Sequence, residues 1–245
     1  MTSTKPAIVT IGVFDGVHLG HQVIVRQVVD RARALDLPSL AVTFHPHPEQ
    51  VLFPERKLTY LTGPEEREQL LYEVGLDDVW TCPFTPELAR LEPDEFMRVV
   101  TERQPVAELW VGHDFALGRG RRGSLSVLSE IGAACGWALH VVPPQRFEGQ
   151  IVSSTAIRTL LAAGAVRGAA DLLGRLYSVV GEITAPGQAC VDPLRALPRP
   201  GVYDGQVDSA DVTINVQPSP GELTFDPPGN STRAKATITF LRRGD

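Results

Sequence analysis

Two histidines, His18 and His21, flank Gly20 within Gly12-Val13-Phe14-Asp15-Gly16-Val17-His18-Leu19-Gly20-His21. Imidazoles donate hydrogen bonds to phosphate oxygens, and positions i and i+3 lie on one face of a starting helix. The apolar run 7–11 before them reads as a buried strand, and Gln22 to Leu35 reads as a helix. A strand, a glycine-bearing turn and a helix start together form an anion site. The first N–H groups of a helix lack internal partners, and its dipole favours negative charge there. The physical reading is a polyphosphate-binding turn, although it is neither Gly-x-x-x-x-Gly-Lys nor Gly-x-Gly-x-x-Gly; the alternative is a helix start with two exposed or core-satisfied histidines. Its chemistry would be to bind the oxygens of a polyphosphate and stabilise negative charge there. N–H donors, backbone amides and a magnesium ion all serve that end. Asp15 either caps the turn or orients a histidine.

Three further segments carry related groups. In Thr43-Phe44-His45-Pro46-His47-Pro48, prolines on both sides restrict His47 and preorganise its side chain. The other readings of this segment are a stiff surface loop, or a His45/His47 metal pair with no third ligand evident. Val111-Gly112-His113-Asp114-Phe115-Ala116-Leu117-Gly118 precedes Arg119, Arg121 and Arg122. The arginines either draw in anions or form a solvated turn. Val152-Ser153-Ser154-Thr155-Ala156-Ile157-Arg158 is a helix N-cap signal that leaves N–H groups and hydroxyls toward a ligand, with Arg158 one turn on; a plain cap is the alternative.

The elements that must position these groups alternate. Strands are expected at 37–44, 78–81, 106–111 and 137–142, and helices at 65–74, 92–104 and 124–135, with Pro93 at a tolerated first-turn position. Alternation predicts a parallel sheet with helices on both faces, and ligands outside the carboxyl ends of its strands. From Tyr177 the character changes to short strands at 177–183, 212–216, 222–225 and 236–241, separated by Pro/Gly/Asn turns. The segment 218–231 is turn-rich. Two domains are expected, 1–176 and 177–245.

His18-Leu19-Gly20-His21 resembles the His-x-Gly-His motif of the nucleotidyltransferase superfamily. The longer Gly12-x-Phe14-Asp15-Gly16-x-His18-x-Gly20-His21 resembles one branch, the bacterial bifunctional riboflavin kinase/FAD synthetases. The other segments match that family in the same order. His47 stands where the family's Phe-acidic-Pro-His-Pro has its histidine, although His45 replaces the acidic residue. Residues 112–118 resemble Gly-x-(Asn/Asp)-Phe-x-Phe-Gly, with Leu117 for the second aromatic. Ser153-Ser154-Thr155-x-Ile157-Arg158 matches in full.

The resemblance implies a Rossmann-like α/β nucleotidyltransferase domain, followed by a small antiparallel β-barrel. The implied reaction joins ATP and FMN to give FAD and pyrophosphate, with Mg2+. His18, His21 and His47 would act on the phosphates, and Gly12, Phe14, Asp15 and Gly20 would shape the nucleotide pocket. Ser153, Ser154, Thr155 and Arg158 would serve the triphosphate, and Asp114 and Phe115 would line the substrate site.

The barrel's entry is visible at 173–183, and Pro198-Arg199-Pro200-Gly201-Val202-Tyr203 fits its Pro-x-x-Gly-Val-Tyr. Between them the family carries Gly-Arg-x-Leu-Gly-x-Pro-Thr-Ala-Asn, which holds phosphate and magnesium. This chain has Thr184-Ala185-Pro186-Gly187-Gln188-Ala189-Cys190-Val191-Asp192 instead. A kinase needs a phosphate cradle, a metal site and a base. None is recognisable, so the expectation is a reduced barrel without riboflavin kinase activity.

The remaining 245-residue composition is ordinary, with 43% hydrophobic and 21% charged residues. A net charge of −6 without a basic block argues against nucleic-acid partners. No apolar run approaches the roughly 20 residues of a membrane helix, and the start lacks a secretion signal's apolar core. Three scattered cysteines suggest neither a metal site nor a disulfide framework, and point to a reducing, cytoplasmic setting. Oligomeric state has no signature in the sequence. Two rival readings stand beside FAD synthesis. One is nucleotidyl transfer to another phosphate acceptor, such as phosphopantetheine or a nucleotide-sugar precursor. The other is an inactive flavin- or nucleotide-binding regulator.

Overall fold

The computed structural model describes residues 5–56, 58–226 and 235–243. They fall into two compact units, one within Met1–Arg56 and Pro64–Gln145, the other within Lys57–Gly63 and Arg146–Asp245. Of the expected turn-rich segment 218–231, residues 227–231 lie outside the described residues.

The first unit is built on five parallel strands: β1 (Ala7–Ile11), β2 (Ser39–His45), β3 (Asp78–Pro83), β4 (Val106–Gly112) and β5 (Ala138–Val142). Their order is β3-β2-β1-β4-β5. Side chains alternate across a strand, so Ala7, Val9 and Ile11 of β1 enter one core and Ile8 enters the other. The first core receives Phe96, Met97 and Val100 from α4 (Pro93–Arg103) and Leu128 from α5 (Leu125–Cys135). The second receives Val25, Val28, Val29 and Ala32 from α1 (Leu19–Leu35) and Leu71 from α3 (Pro64–Val74). The α1 residues recur at helical spacing, which gives one apolar stripe facing the sheet. Helices therefore cover both faces, as the alternating pattern requires.

Two local departures from the sequence reading matter for the site. Helix α1 starts at Leu19 rather than Gln22, which puts His21 in its first turn. The proline segment after β2 leads into a short helix that the sequence reading did not include, α2 (Pro48–Leu52), because Pro48 at the first position suits a helix start.

The second unit opens with a ribbon of β6 (Arg146–Phe147) and β7 (Gln150–Ile151), then α6 (Ser154–Ala162) and α7 (Val166–Leu173). A closed antiparallel barrel follows: β8 (Tyr177–Ala185), β9 (Gln188–Val191), β10 (Gly201–Val207), β11 (Ala210–Val216), β12 (Glu222–Asp226) and β13 (Lys235–Arg243). The sequence reading found no strand at β9 or β10, whose proline- and glycine-rich surroundings read as loop. Alternate residues point inward and fill the barrel, among them Tyr177, Tyr203, Ile214, Ile238 and Phe240. Gly205 is fixed by this packing, since a Cβ there would lie 2.2 Å from Ile214 and 2.4 Å from the Thr239 carbonyl. Both buried tyrosine hydroxyls donate to carbonyls, Tyr177 to Ala196 at 2.6 Å and Tyr203 to Arg199 at 2.7 Å. Within this unit, Tyr60 bridges to Arg195 and donates its hydroxyl to Asp192. Helices α6 and α7 group with the barrel, whereas the sequence suggested a boundary after residue 176. No helix among the described residues is long and apolar enough to cross a membrane.

Candidate active site

The strand order reverses between β1 and β4, and open parallel sheets bind ligands outside the carboxyl ends at such a point. Gly12 follows β1, His45 ends β2 and Gly112 ends β4. Three of the four candidate segments thus leave adjoining strands at one edge of one sheet. The fourth, 152–158, belongs to the second unit.

The loop from β1 to α1 holds a cluster of left-handed backbone. Phe14 has φ +51°, Gly16 +85° and Val17 +40°. Such conformations at non-glycine residues cost about 1–3 kcal/mol each and persist where the surroundings over-determine them. Here the Val17 N–H donates to the Phe14 carbonyl at 3.0 Å, and Gln22 Nε2 donates to the Val17 carbonyl at 3.0 Å. Thr43 of β2 donates its hydroxyl to the Val13 carbonyl at 2.9 Å, which ties the second segment to the first. The Phe14 ring folds over Gly12, where a Cβ would come within 3.0 Å of it.

His18 caps α1: its Nδ1 accepts the His21 N–H at 3.3 Å. A nitrogen that accepts carries no proton, so the neutral ring bears its proton on Nε2. The His18 and His21 rings stack at 3.6 Å with 17° between planes, and Phe14 meets His21 edge-on at 5.2 Å. Burial, then His18, then Arg67 hold His21 well below the usual imidazole range. His21 is therefore neutral near pH 7 and offers an uncharged imidazole. His47 caps α2 in the same manner, with Nδ1 accepting the Glu49 N–H at 3.1 Å. Gln50 Oε1 accepts from the His47 N–H at 3.2 Å. In its neutral form His47 likewise keeps its proton on Nε2.

Asp15 is buried, and Gly20 lies in the first turn of α1. The Asp114 carboxylate is 83% exposed and 4.0 Å from His113 Nδ1, while Phe115 packs against the core beside α4 and α5. Two of the three clustered arginines have protein partners: Arg121 donates to the Asp114 carbonyl at 2.7 Å, and Arg122 pairs with Glu92 at 3.0 Å. In the second unit Ser153 caps α6, its Oγ accepting the Ala156 N–H at 3.2 Å. Ser154, Thr155 and Arg158 lie on that helix.

One group at this edge was missed in the sequence. Arg67 of α3 is 3% exposed, and its Nη2 donates to the Phe44 carbonyl at 2.8 Å. It interacts electrostatically with Asp15 and His21. The available signal was its position four residues before the buried Leu71, on the inward face of the helix.

The family model of FAD synthetases matches residues 1–156. The chain is 33% identical to a bifunctional riboflavin kinase/FMN adenylyltransferase of Pseudomonas fluorescens, over 88% of this chain and 74% of that protein. It is 29% identical to an FAD synthetase of Listeria monocytogenes, over 86% of this chain and 85% of that protein. Against other bifunctional relatives, from Listeria monocytogenes and Escherichia coli, the match spans 56% of their length. Among solved structures, a macrolide-efflux protein from Streptococcus pneumoniae superimposes with a TM-score of 0.85 at 23% identity, covering 100% of this chain and 88% of that one. That likeness establishes the fold alone. By its family match and its sequence relatives, the chain belongs to the FAD synthetase family.

Proposed function

We propose that this protein is an FMN adenylyltransferase. A phosphate oxygen of FMN attacks the α-phosphorus of ATP, a new P–O bond forms, and the bond to pyrophosphate breaks, giving FAD. The observation that carries this reading is the stacked His18/His21 pair beneath a strained loop, at the start of α1 and beside the strand-order reversal. The FMN phosphate is already ionised near neutral pH, so the nucleophile needs no general base. Catalysis rests on alignment and on neutralising the charge of the pentacoordinate phosphorus. His18, His21 and His47 supply N–H donors to the phosphates, and Gly12, Phe14, Asp15 and Gly20 form the nucleotide turn. Asp114 and Phe115 serve the substrate. Magnesium enters as MgATP, held chiefly by phosphate oxygens. The imidazole N–H groups of the turn donate to phosphate oxygens and would leave the cation to the nucleotide. All three cysteines are unbridged, which suits a reducing, cytoplasmic setting.

The same reading assigns no riboflavin kinase activity to the barrel. In place of a glycine-rich phosphate loop, β8 and β9 are joined by the two-residue turn Pro186-Gly187, with Ala185 paired to Gln188. Side chains fill the interior. The test is to incubate the protein with MgATP and either FMN or riboflavin, and to separate the flavins. FAD from FMN and no product from riboflavin is the expected outcome. FMN appearing from riboflavin would overturn the kinase assignment, and no FAD from FMN would overturn the main one.

A further inference from the structure

We propose that Arg67 is a positioning residue of the adenylyl-transfer site, its buried guanidinium bracing the end of β2 that leads into His47 and setting a fixed charge beside His21. This rests on the reading of the site given above. A buried charge is expensive unless paired, and an apolar side chain of similar volume is often at least as stabilising. Stability therefore gives little reason for an arginine on the inward face of α3.

Its partners do. Nη2 holds the Phe44 carbonyl at 2.8 Å, one residue before His45-Pro46-His47 begins. Asp15, from the strained loop, and Glu68, its neighbour on α3, supply the opposing charge; Glu68 itself accepts the Thr81 hydroxyl of β3. Arg67 Nε and His21 Nδ1 are both buried and have no hydrogen-bond partner among the described residues. A planar guanidinium suits this post, because one fork carries a fixed charge and a directed N–H at once. The groups facing His21 are His18, Phe14 and Arg67. Burial and then His18 do most to hold His21 in the neutral form that the phosphate site uses, and the positive charge of Arg67 adds to them by opposing protonation.

The test compares Arg67→Met with Arg67→Lys in the full chain. FMN-dependent pyrophosphate release is measured across pH, and the His21 imidazole is titrated by NMR in ligand-free protein. Arg67→Met should lower kcat at least about tenfold, as expected when a charge-positioning group is lost. It should also move the acid limb of the profile and the His21 titration to higher pH. Arg67→Lys keeps the charge but not the fork. It should restore the acid limb and the titration while recovering only part of kcat. A His21 titration identical in wild type and Arg67→Met would overturn the proposal, as would a wild-type kcat and acid limb in that variant. The titration needs no turnover. A protein that makes no FAD while its His21 still responds to Arg67 would sink the adenylyl-transfer reading and leave this charge coupling standing.

Discussion

The carboxyl edge of the sheet and the interior of the barrel hold polar groups and backbone strain differently. At the carboxyl edge of the sheet, Asp15, His18 and Arg67 are buried together beside a loop with three left-handed residues. The barrel buries aromatic and aliphatic side chains, and its two inward tyrosines each donate to a carbonyl. Among the described residues its left-handed non-glycine residues are Asp208 and Ser209, at the exposed turn between β10 and β11. The second unit buries a charge as well, Arg195, which donates to the Ser178 carbonyl, so it is the clustering of strain with several buried polar groups that marks the sheet edge as the reactive site.

The largest expected effect breaks the barrel side of this contrast. Gly205→Leu has no room against Ile214 and the Thr239 carbonyl, so overpacking should exceed about 3 kcal/mol and leave little folded protein at 37 °C, read as soluble yield and thermal melting. A melting temperature near that of wild type would mean that the barrel is not packed as described. Phe240→Ala, at the barrel centre between Tyr177 and Tyr203, should cost about 3–5 kcal/mol in urea unfolding. A loss below about 1 kcal/mol would point to a loosely filled interior.

A smaller effect sharpens the sheet side. His21 has a folded value below its unfolded one of 6.5. As pH falls, the unfolded chain therefore takes up the proton first. The stability linked to neutral His21 is complete above about pH 6.5 and is lost as pH drops toward the folded value. Urea midpoints at about pH 7.5 and pH 5.5 should converge in His21→Gln relative to wild type; equal acid losses would show that His21 is not buried in the neutral form.

The smallest expected effect contrasts the two strained sites. Ser209→Gly relieves an exposed left-handed residue and should stabilise by roughly 0.5–1 kcal/mol with the turnover number unchanged. A slowed enzyme would tie the barrel turn to the chemistry.

How much was legible follows the same division. The β1 turn and α1 could be read because a buried apolar strand, glycines and a helical apolar stripe coincide within one short span. The start of α1 was misplaced because His18, an uncommon N-cap, does the work usually done by Ser, Thr, Asp or Asn. Helix α2 was hidden behind prolines that also signal turns. Strands β9 and β10 were hidden because inward alternation over a few residues is weak beside Pro and Gly. Arg67 escaped for a different reason. A charged residue on a helix reads as solvent-facing, and only its burial, its hydrogen bond to the Phe44 carbonyl and its electrostatic interaction with Asp15 and His21, all distant in sequence, reveal its place.

The central claim is that imidazoles at the start of α1 ease cleavage of a bound triphosphate. FMN-dependent pyrophosphate release from MgATP, measured for wild type and for His21→Ala at matched folded concentration, tests it most directly. The account predicts a fall of at least about tenfold in turnover, with an unchanged far-UV spectrum. Wild-type turnover in a folded His21→Ala protein would contradict it.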